Sequence, residues 1–218
     1  MLSTKYAPKT TDQLVGNIPN IQVIKNFILG YKKQKKKALL LYGPPGVGKT
    51  QSVYVTSKEF DLELLDLNAS DFRNKDIIMD VIGNFLKQQS LFQKQKLVLI
   101  DEIDGLSNQE DRGGIQAILE LVLDSTYPII ITANNPFDSK FSSLRSKSIL
   151  LEYKAISQKE IEKTLKIISQ KEKTEVDPLV LIMLSQSSRG DLRAAINDLQ
   201  VLITNKKVVG LSDLEVLS

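Results

Sequence analysis

A glycine-rich segment, GPPGVGKT at residues 43–50, has the residue types and spacing of a phosphate-binding loop. It fits the pattern G-x-x-x-x-G-K-[ST] between a predicted strand and a predicted helix, so backbone amides and the helix dipole both favour an anion. Lys49 suits the β- and γ-phosphates of a nucleotide and Thr50 suits Mg²⁺. The alternative is a chance glycine-rich turn, which the flanking elements disfavour. The predicted contact residues are Gly43, Pro44, Pro45, Gly46, Val47, Gly48, Lys49 and Thr50.

Two adjacent acids, Asp101 and Glu102, follow the apolar run at residues 97–100. Many buried strands end in polar residues, so the acids alone are weak evidence. Together with a phosphate loop about 50 residues earlier they predict a specific site. Asp101 suits the Mg²⁺ shell and Glu102 the orientation and deprotonation of a water. We therefore expect the transfer of a phosphoryl group from a nucleotide to water.

A third predicted strand ends in the polar sequence Thr132-Ala-Asn134-Asn135. An asparagine at this strand end is able to hold the same water or to contact the γ-phosphate. Asn-Asn-Pro is also common turn chemistry. The local sequence leaves these two interpretations of Asn134 equally open.

The composition excludes several kinds of catalysis. The 218 residues contain no Cys, no His and no Trp. This rules out disulfides, Cys- or His-ligated zinc, thiolate nucleophiles and a Ser-His-Asp triad. Carboxylates, hydroxyls, Lys and Arg remain, and they suit phosphoryl transfer, where positioning and charge stabilisation dominate. The net charge of +3 favours polyanionic partners only slightly.

The segments that position these residues alternate between apolar runs and helical patterns. The runs are almost continuously apolar, as in a parallel sheet covered by helices on both faces. Helical patterns occur at about residues 49–59, 74–88 and 112–123. The fold class is therefore predicted as α/β, with a five-stranded parallel sheet between helices. The predicted strands are Ala38–Tyr42, Leu62–Leu67, Leu97–Ile100, Ile129–Thr132 and Ser148–Tyr153.

Only helical patterns follow Tyr153, which predicts a small three-helix lid. The first helix opens with a capping box at residues 157–160, and the second with Asp177-Pro178. The third follows Gly190-Asp191. We therefore predict a nucleotide-binding domain at residues 1–154, a helical lid at 155–205 and a connector or tail at 206–218.

These motifs together resemble a known family. The loop GPPGVGKT, the acids DEID, the strand end TANN and the helix SRGDLRAAIN are similar to those of AAA+ ATPases. More narrowly, the lead-in KYAPKTTDQLVGN and the segment LDLNASD resemble the replication factor C clamp loaders. The stretch at residues 101–119 is similar to the large subunit of the archaeal or eukaryotic type. The resemblance covers residues 4 to about 204.

The resemblance implies roles in nucleotide binding for residues outside the loop. It implies ATP and Mg²⁺ as cofactors, Asn134 as the sensor of the γ-phosphate, and Arg193 as a lid residue that reaches the nucleotide. Arg193 also lies near a helix N-terminus, where a cation is unfavourable without an anionic partner. A plain surface charge is the alternative for Arg193. By resemblance, the adenine pocket is lined by Tyr6, Pro8, Val15 and Gly16.

Two further arginines, Arg73 and Arg112, are expected to contact DNA. Each lies at the start of a predicted helix, where clamp loaders follow duplex phosphates, and such contacts do not depend on sequence. Gly113 and Gly114 allow close approach of the backbone. Salt bridges to neighbouring acids are the alternative for both arginines. Two apolar residues in the loop before the Asp101 strand, Leu91 and Phe92, are candidates for a clamp contact, with burial in the core as an equal alternative.

The sequence departs from the family pattern at the arginine finger. Small subunits carry Ser-Arg-Cys, whereas the matching stretch here is Ser146-Lys147-Ser148, and Arg145 lies two places earlier. We therefore expect the chain to receive a finger from a small subunit rather than to donate one. A missing finger in trans costs about 10³–10⁵ in rate, so the isolated chain is expected to be a weak ATPase. Arg189 matches no position of the family pattern.

The resemblance also predicts partners. Family members continue into a helical collar domain. We therefore expect either a truncated subunit or one piece of a split large subunit whose collar is encoded separately. The expected partners are the small subunits, the sliding clamp and primer–template DNA, in a soluble protein that is cytoplasmic in an archaeon or nuclear in a eukaryote. No apolar run has transmembrane length. The alternatives are a scaffold that holds nucleotide without hydrolysis, and another AAA+ machine such as a replication-initiation or Holliday-junction ATPase.

Overall fold

The computed structural model describes residues 1–69, 85, 94–106 and 112–217. Its central sheet has five parallel strands, which confirms the predicted fold class. Each predicted strand agrees with the observed one to within one residue at either end. The observed strands are β1 (Ala38–Tyr42), β2 (Glu63–Asn68), β3 (Lys96–Asp101), β4 (Ile129–Ala133) and β5 (Ser148–Glu152).

The strands lie in the order β2-β3-β4-β1-β5, so that β4 is bordered by β3 and β1. Tyr42 pairs with Ala133 at the end of β1, and Ile100 pairs with Ile131 near the end of β3. Because all strands run in the same direction, the loops that follow β1, β3 and β4 leave the sheet at one edge.

Helices cover both faces of the sheet, which explains why its strands are apolar without alternation. Leu41 faces a cluster that includes α2 (Ile18–Leu29) and α3 (Lys49–Glu59). Leu40 faces the opposite cluster, which includes α4 (Arg112–Asp124). Both leucines are fully buried. The helix predicted at residues 74–88 lies outside the described residues except for Phe85.

Three helices follow the sheet in sequence, as predicted, and each has a side-chain cap at its N-terminus. Ser157 and Glu160 form the expected capping box. Asp177 accepts from the amide of Leu179 at 2.8 Å, and Asp191 accepts from the amide of Ala194 at 2.9 Å. These three helices are α6 (Gln158–Lys171), α7 (Pro178–Ser187) and α8 (Leu192–Ile203); the described residues also form α1 (Leu2–Lys5) and α5 (Ser142–Lys147). None of the helices that the structure describes is long and apolar enough to cross a membrane.

The segment predicted as a connector or tail, residues 206–218, contains regular structure in its described part. Strand β7 (Val208–Val209) pairs in parallel with β6 (Glu175–Val176). A 3-10 helix follows at Leu211–Leu217, and Leu214 packs against the core. The sequence did not indicate this regular structure, because two-residue strands are too short to give a periodic pattern.

The first residues of the chain contact the C-terminal helices. The amide of Leu2 donates to the side chain of Gln200 in α8. The hydroxyl of Tyr6 donates to Glu172 at the end of α6, and Lys5 forms an ion pair with the same carboxylate at 2.6 Å. The N-terminal segment therefore packs on the helices that follow the sheet.

We predict that Ser157→Ala lowers the free energy of unfolding by about 1 kcal/mol, because the amide of Glu160 loses the side-chain oxygen that accepts its hydrogen bond at the start of α6. Chemical denaturation measures this change. Lys159→Ala in the same turn is the control, since Lys159 is exposed and its replacement is expected to change stability by less than about 0.5 kcal/mol. Equal effects of the two substitutions would contradict the role of the box.

Candidate functional site

The phosphate loop, residues 43–50, connects β1 to α3. Gly43 and Gly48 have φ angles of 144° and 91°, which residues with side chains rarely adopt. A Cβ atom on Gly43 would lie 2.0 Å from the carbonyl oxygen of Tyr153, whereas one on Gly48 would meet nothing within 4 Å. The loop is therefore tightly packed where it leaves β1 and open where it enters α3.

Lys49 is buried, with 9% of its surface exposed. Each of the three N–H donors of its ammonium group has an acceptor. Nζ donates to the carbonyl oxygens of Gly43 and Pro44, both at 2.8 Å, and to Oδ1 of Asn134 at 3.0 Å. Burial lowers the pKa of Lys49, and the negative charges of Asp104 and Asp101 act in the opposite direction.

The side chains of Thr50 and Asp101 are in direct hydrogen-bond contact beside the phosphate loop. The Thr50 hydroxyl lies 2.9 Å and 3.1 Å from the two carboxylate oxygens of Asp101. A second hydroxyl, that of Thr132 on β4, also donates to Asp101. Two hydroxyls and one carboxylate thus form a compact set of oxygen atoms beside the phosphate loop.

The residues after β3 and β4 are linked by hydrogen bonds. Glu102 is exposed and has a φ of 56°, in the left-handed region. Its amide donates to Oγ1 of Thr132 at 3.0 Å. The carboxylate of Asp104 accepts from the amide of Asn134 and from that of Asn135, the latter at 3.2 Å. The structure therefore brings both predicted acids and the predicted asparagine to one edge of the sheet.

A cavity of about 280 Å³ lies between this edge and the start of α8. Arg193, in the first turn of α8, lines it. A Cβ atom on Gly46 would lie 1.7 Å from a carboxylate oxygen of Asp191, so the start of α8 packs directly on the phosphate loop. The cavity is lined by Pro45, Gly46, Val47, Gly48, Lys49, Thr50, Gln51, Tyr54, Asn68, Asp101, Glu102, Thr132, Ala133, Asn134 and Arg193.

The middle of the chain matches a family model. Residues 39–151 match the ATPase family associated with various cellular activities, abbreviated AAA. This match spans more than half of the 218 residues and includes the phosphate loop and both acids. The chain belongs to the AAA family.

Several archaeal relatives within this family are named replication factor C large subunit. The protein of Nanoarchaeum equitans is 45% identical over 203 residues, which is 93% of this chain and 47% of that protein. The protein of Thermofilum pendens is 44% identical over 216 residues, which is 98% of this chain and 52% of that protein. The chain thus spans about half the length of the curated relatives it matches.

A solved structure has the same AAA fold. The Holliday junction branch migration motor RuvB of Thermotoga maritima matches with a TM-score of 0.69. The match covers 97% of this chain and 73% of that one at 22% identity. At this low identity, the similarity supports the fold and carries no information on substrate.

The four residues expected around the adenine of an AAA protein are not among the lining residues of the cavity. The carbonyl of Pro8 accepts from Nε2 of Gln51, which does line the cavity, at 2.9 Å. Tyr6 and Val15 pack against the main hydrophobic core. A Cβ atom on Gly16 would lie 3.1 Å from Ile156, which connects the sheet to the C-terminal helices.

The other arginines have different surroundings. Arg145 donates to the carbonyl oxygens of Pro136 and Asp138 and lies over the ring of Phe137. Arg189 is exposed, with a φ of 51°. Arg112 is the first residue of α4, and its side chain lies outside the described part of the chain.

The five other predicted interface residues fall into two groups. Gly113 and Gly114 are in the first turn of α4. Arg73 and the proposed clamp residues Leu91 and Phe92 lie outside the described residues.

Three residues of the site were missed by sequence reasoning. Thr132 was counted only as a strand residue, Asp104 only as part of DEID, and Asp191 only as a helix cap. A polar residue in an otherwise apolar strand was an available signal for Thr132, because a buried hydroxyl needs a partner. The contacts of Asp104 and Asp191 depend on the fold and leave no local sequence signal.

We predict that Gly43→Ala lowers the free energy of unfolding by about 2 kcal/mol or more, because the added Cβ atom collides with a backbone carbonyl at a strained φ. Thermal or chemical denaturation measures this change. Gly210→Ala is the matched control, since a Cβ atom there meets nothing within 4 Å. If the two variants are equally stable, the loop does not have the described conformation.

Proposed function

We propose that the chain is the ATP-binding and ATP-hydrolysing part of a clamp-loader large subunit. The observation that carries this proposal is the junction of the phosphate loop with the acids after β3, in which Thr50 contacts Asp101 at 2.9 Å. Lys49, Glu102, Asn134 and Arg193 lie around the same cavity. This arrangement combines phosphate binding, a metal site and a base for water.

The phosphate loop and Arg193 are proposed to bind the triphosphate. Backbone amides of the loop and the N-terminus of α3 favour anions, and the open side of Gly48 leaves room for them. Lys49 has three donors, which phosphate oxygens engage in place of the present acceptors. Arg193 has no hydrogen bond or ion pair within the described residues, so its guanidinium is available to the nucleotide.

Asp101 and Thr50 are proposed to hold Mg²⁺. Their oxygen atoms are the hard ligands that Mg²⁺ prefers, and Mg²⁺ typically uses one or two carboxylates together with phosphates and waters. Bound Mg²⁺ neutralises charge that develops on the transferred phosphoryl group.

Glu102 is proposed as the base that accepts a proton from the attacking water. The water oxygen forms a bond to the γ-phosphorus, and the bond to the β,γ-bridging oxygen breaks, which gives ADP and phosphate. Asn134 lies across the site, where its amide orients the water or contacts the γ-phosphate. In this assignment Glu102 and Asn134 approach the same water from the ends of neighbouring strands.

A neighbouring subunit is proposed to supply the arginine finger. Lys147 occupies the finger position of this chain. Arg145 is bound to two carbonyl oxygens in its own loop, which does not favour donation to a neighbour. Without the finger, hydrolysis is expected to be slower by about 10³–10⁵.

The clamp-loading role and its partners are inferred from the names of the relatives. We infer that the chain acts with small subunits, a sliding clamp and primer–template DNA. Leu91 and Phe92 are proposed to contact the clamp, and Tyr6, Pro8, Val15 and Gly16 to surround adenine. Arg73 and Arg112, with Gly113 and Gly114, are proposed to contact DNA phosphates.

We predict that Glu102→Gln leaves ATP binding intact and lowers turnover by about 10²–10⁴, because the amide cannot accept the proton. Fluorescent-nucleotide binding and phosphate release measure the two effects in the complex with small subunits. Glu152→Gln is the matched control, since Glu152 is exposed at the same edge of the sheet on β5. Normal turnover by the Glu102 variant would refute its assignment as the base.

We predict that replacing Arg73 and Arg112 by Ala weakens DNA binding equally for all sequences. Log K falls as log salt rises, and each lost phosphate contact makes this slope less steep by about 0.9. The slope of the double variant is therefore expected to be less steep by about 1.8. Titrations of labelled duplexes at several salt concentrations measure this slope. Arg189→Ala with Lys163→Ala removes the same charge from exposed positions and is expected to leave the slope unchanged. A sequence-selective loss would contradict the phosphate contacts.

A further inference from the structure

Backbone pairing between β3 and β4 stops before the functional residues. The ladder joins three residue pairs and ends at Ile100 with Ile131. The next residue on β3 is Asp101, followed by Glu102 in the left-handed region. Because L-residues disfavour this region, the conformation of Glu102 requires support from outside the ladder.

Thr132 provides this support from the β4 side. It is 1% exposed, and its hydroxyl has two partners. Oγ1 accepts from the amide of Glu102 at 3.0 Å and donates its single proton to Asp101. One buried hydroxyl therefore fixes both the side chain of Asp101 and the backbone of Glu102.

Asp104 provides the reciprocal support from the β3 side. It lies in the 3-10 turn Ile103–Gly105, whose Gly105 amide donates back to the carbonyl oxygen of Glu102 at 2.9 Å. The Asp104 carboxylate accepts from the backbone amides of Asn134 and Asn135. Asp104 thereby fixes the backbone that presents the Asn134 side chain to Lys49.

We propose that Thr132 and Asp104 act as a clasp between the ends of β3 and β4, and that this clasp sets the positions of Glu102 and Asn134 relative to the attacking water. This inference rests on the proposed hydrolysis of ATP. Thr132 and Asp104 are positioning residues, since they act through Asp101, Glu102 and Asn134. Neither the hydroxyl of Thr132 nor the carboxylate of Asp104 is assigned a contact with ATP.

Substitutions of Thr132 distinguish a positioning role of its hydroxyl from a role in core packing alone. A valine has nearly the same shape and fills the same space in the core, but it has no hydroxyl. Serine has the hydroxyl without the methyl group. Packing therefore predicts that valine preserves function better than serine, whereas the clasp predicts the reverse.

The first test is a comparison of Thr132→Val with Thr132→Ser in the complex with small subunits. We expect valine to lower kcat about 10²-fold, because small displacements of catalytic groups have effects of this size. KM for ATP is expected to change less than about 3-fold, and serine to restore most of kcat. Thr126→Val is the control, since Thr126 is exposed. Equal kcat values for wild type and the valine variant overturn the proposal.

The second test does not require turnover. Loss of the hydrogen bond to Asp101 is expected to raise the Mg²⁺ concentration needed for half-maximal binding of a fluorescent ADP analogue by about 10-fold or more in Thr132→Val. Asp104→Asn is expected to leave this Mg²⁺ midpoint unchanged and to lower kcat, because Asp104 supports Asn134 rather than Asp101. An unchanged midpoint in the valine variant overturns the link from Thr132 to Asp101.

The two readouts also separate this inference from the proposed function. If the wild type binds ADP and Mg²⁺ but does not hydrolyse ATP in the complex, the proposed function fails. The Mg²⁺ midpoints of Thr132→Val and Thr132→Ser then still support or overturn the link to Asp101. If the wild type hydrolyses ATP and both threonine variants match it, the clasp alone fails.

Discussion

The site depends on the position of β4 between β1 and β3 in a sheet whose strands all run the same way. This order brings the phosphate loop, the acids after β3 and the asparagine after β4 to adjacent points on one edge. Apolar side chains on both faces fix the register, since a slip of one residue would move each side chain to the opposite face. The apolar core therefore determines the distances between groups that are as far as 85 residues apart in sequence.

Lys49 shows how the edge of the sheet holds a buried charge. Its ammonium group has three donors, and each has an acceptor: two carbonyl oxygens of the phosphate loop and the side chain of Asn134. Because a buried donor without a partner is costly, a phosphate that binds Lys49 replaces existing hydrogen bonds rather than adding to them. All three present acceptors are neutral, so the gain from the exchange is the difference between these bonds and the stronger charge-assisted bonds to a phosphate.

Sequence patterns predicted the elements whose cause is local or periodic. The continuous apolar runs gave all five strands of the sheet, and the capping box at Ser157 gave the start of α6. The contacts of Leu2 with Gln200 and of Asp104 with Asn134 were not predicted, since they join residues 198 and 30 positions apart. The phosphate loop and the two acids were predictable because phosphate chemistry demands those residue types at fixed spacing. The role of Thr132 was not predictable, because it depends on the contacts of a single hydroxyl with Asp101 and Glu102 at the end of the neighbouring strand β3.

The start of α8 connects the C-terminal helices to the phosphate loop through one aspartate. Asp191 caps α8 through the amide of Ala194 and packs against Gly46. Arg193 follows two residues later and lines the cavity. One helix turn therefore carries both the carboxylate that packs on the phosphate loop and the guanidinium that lines the cavity.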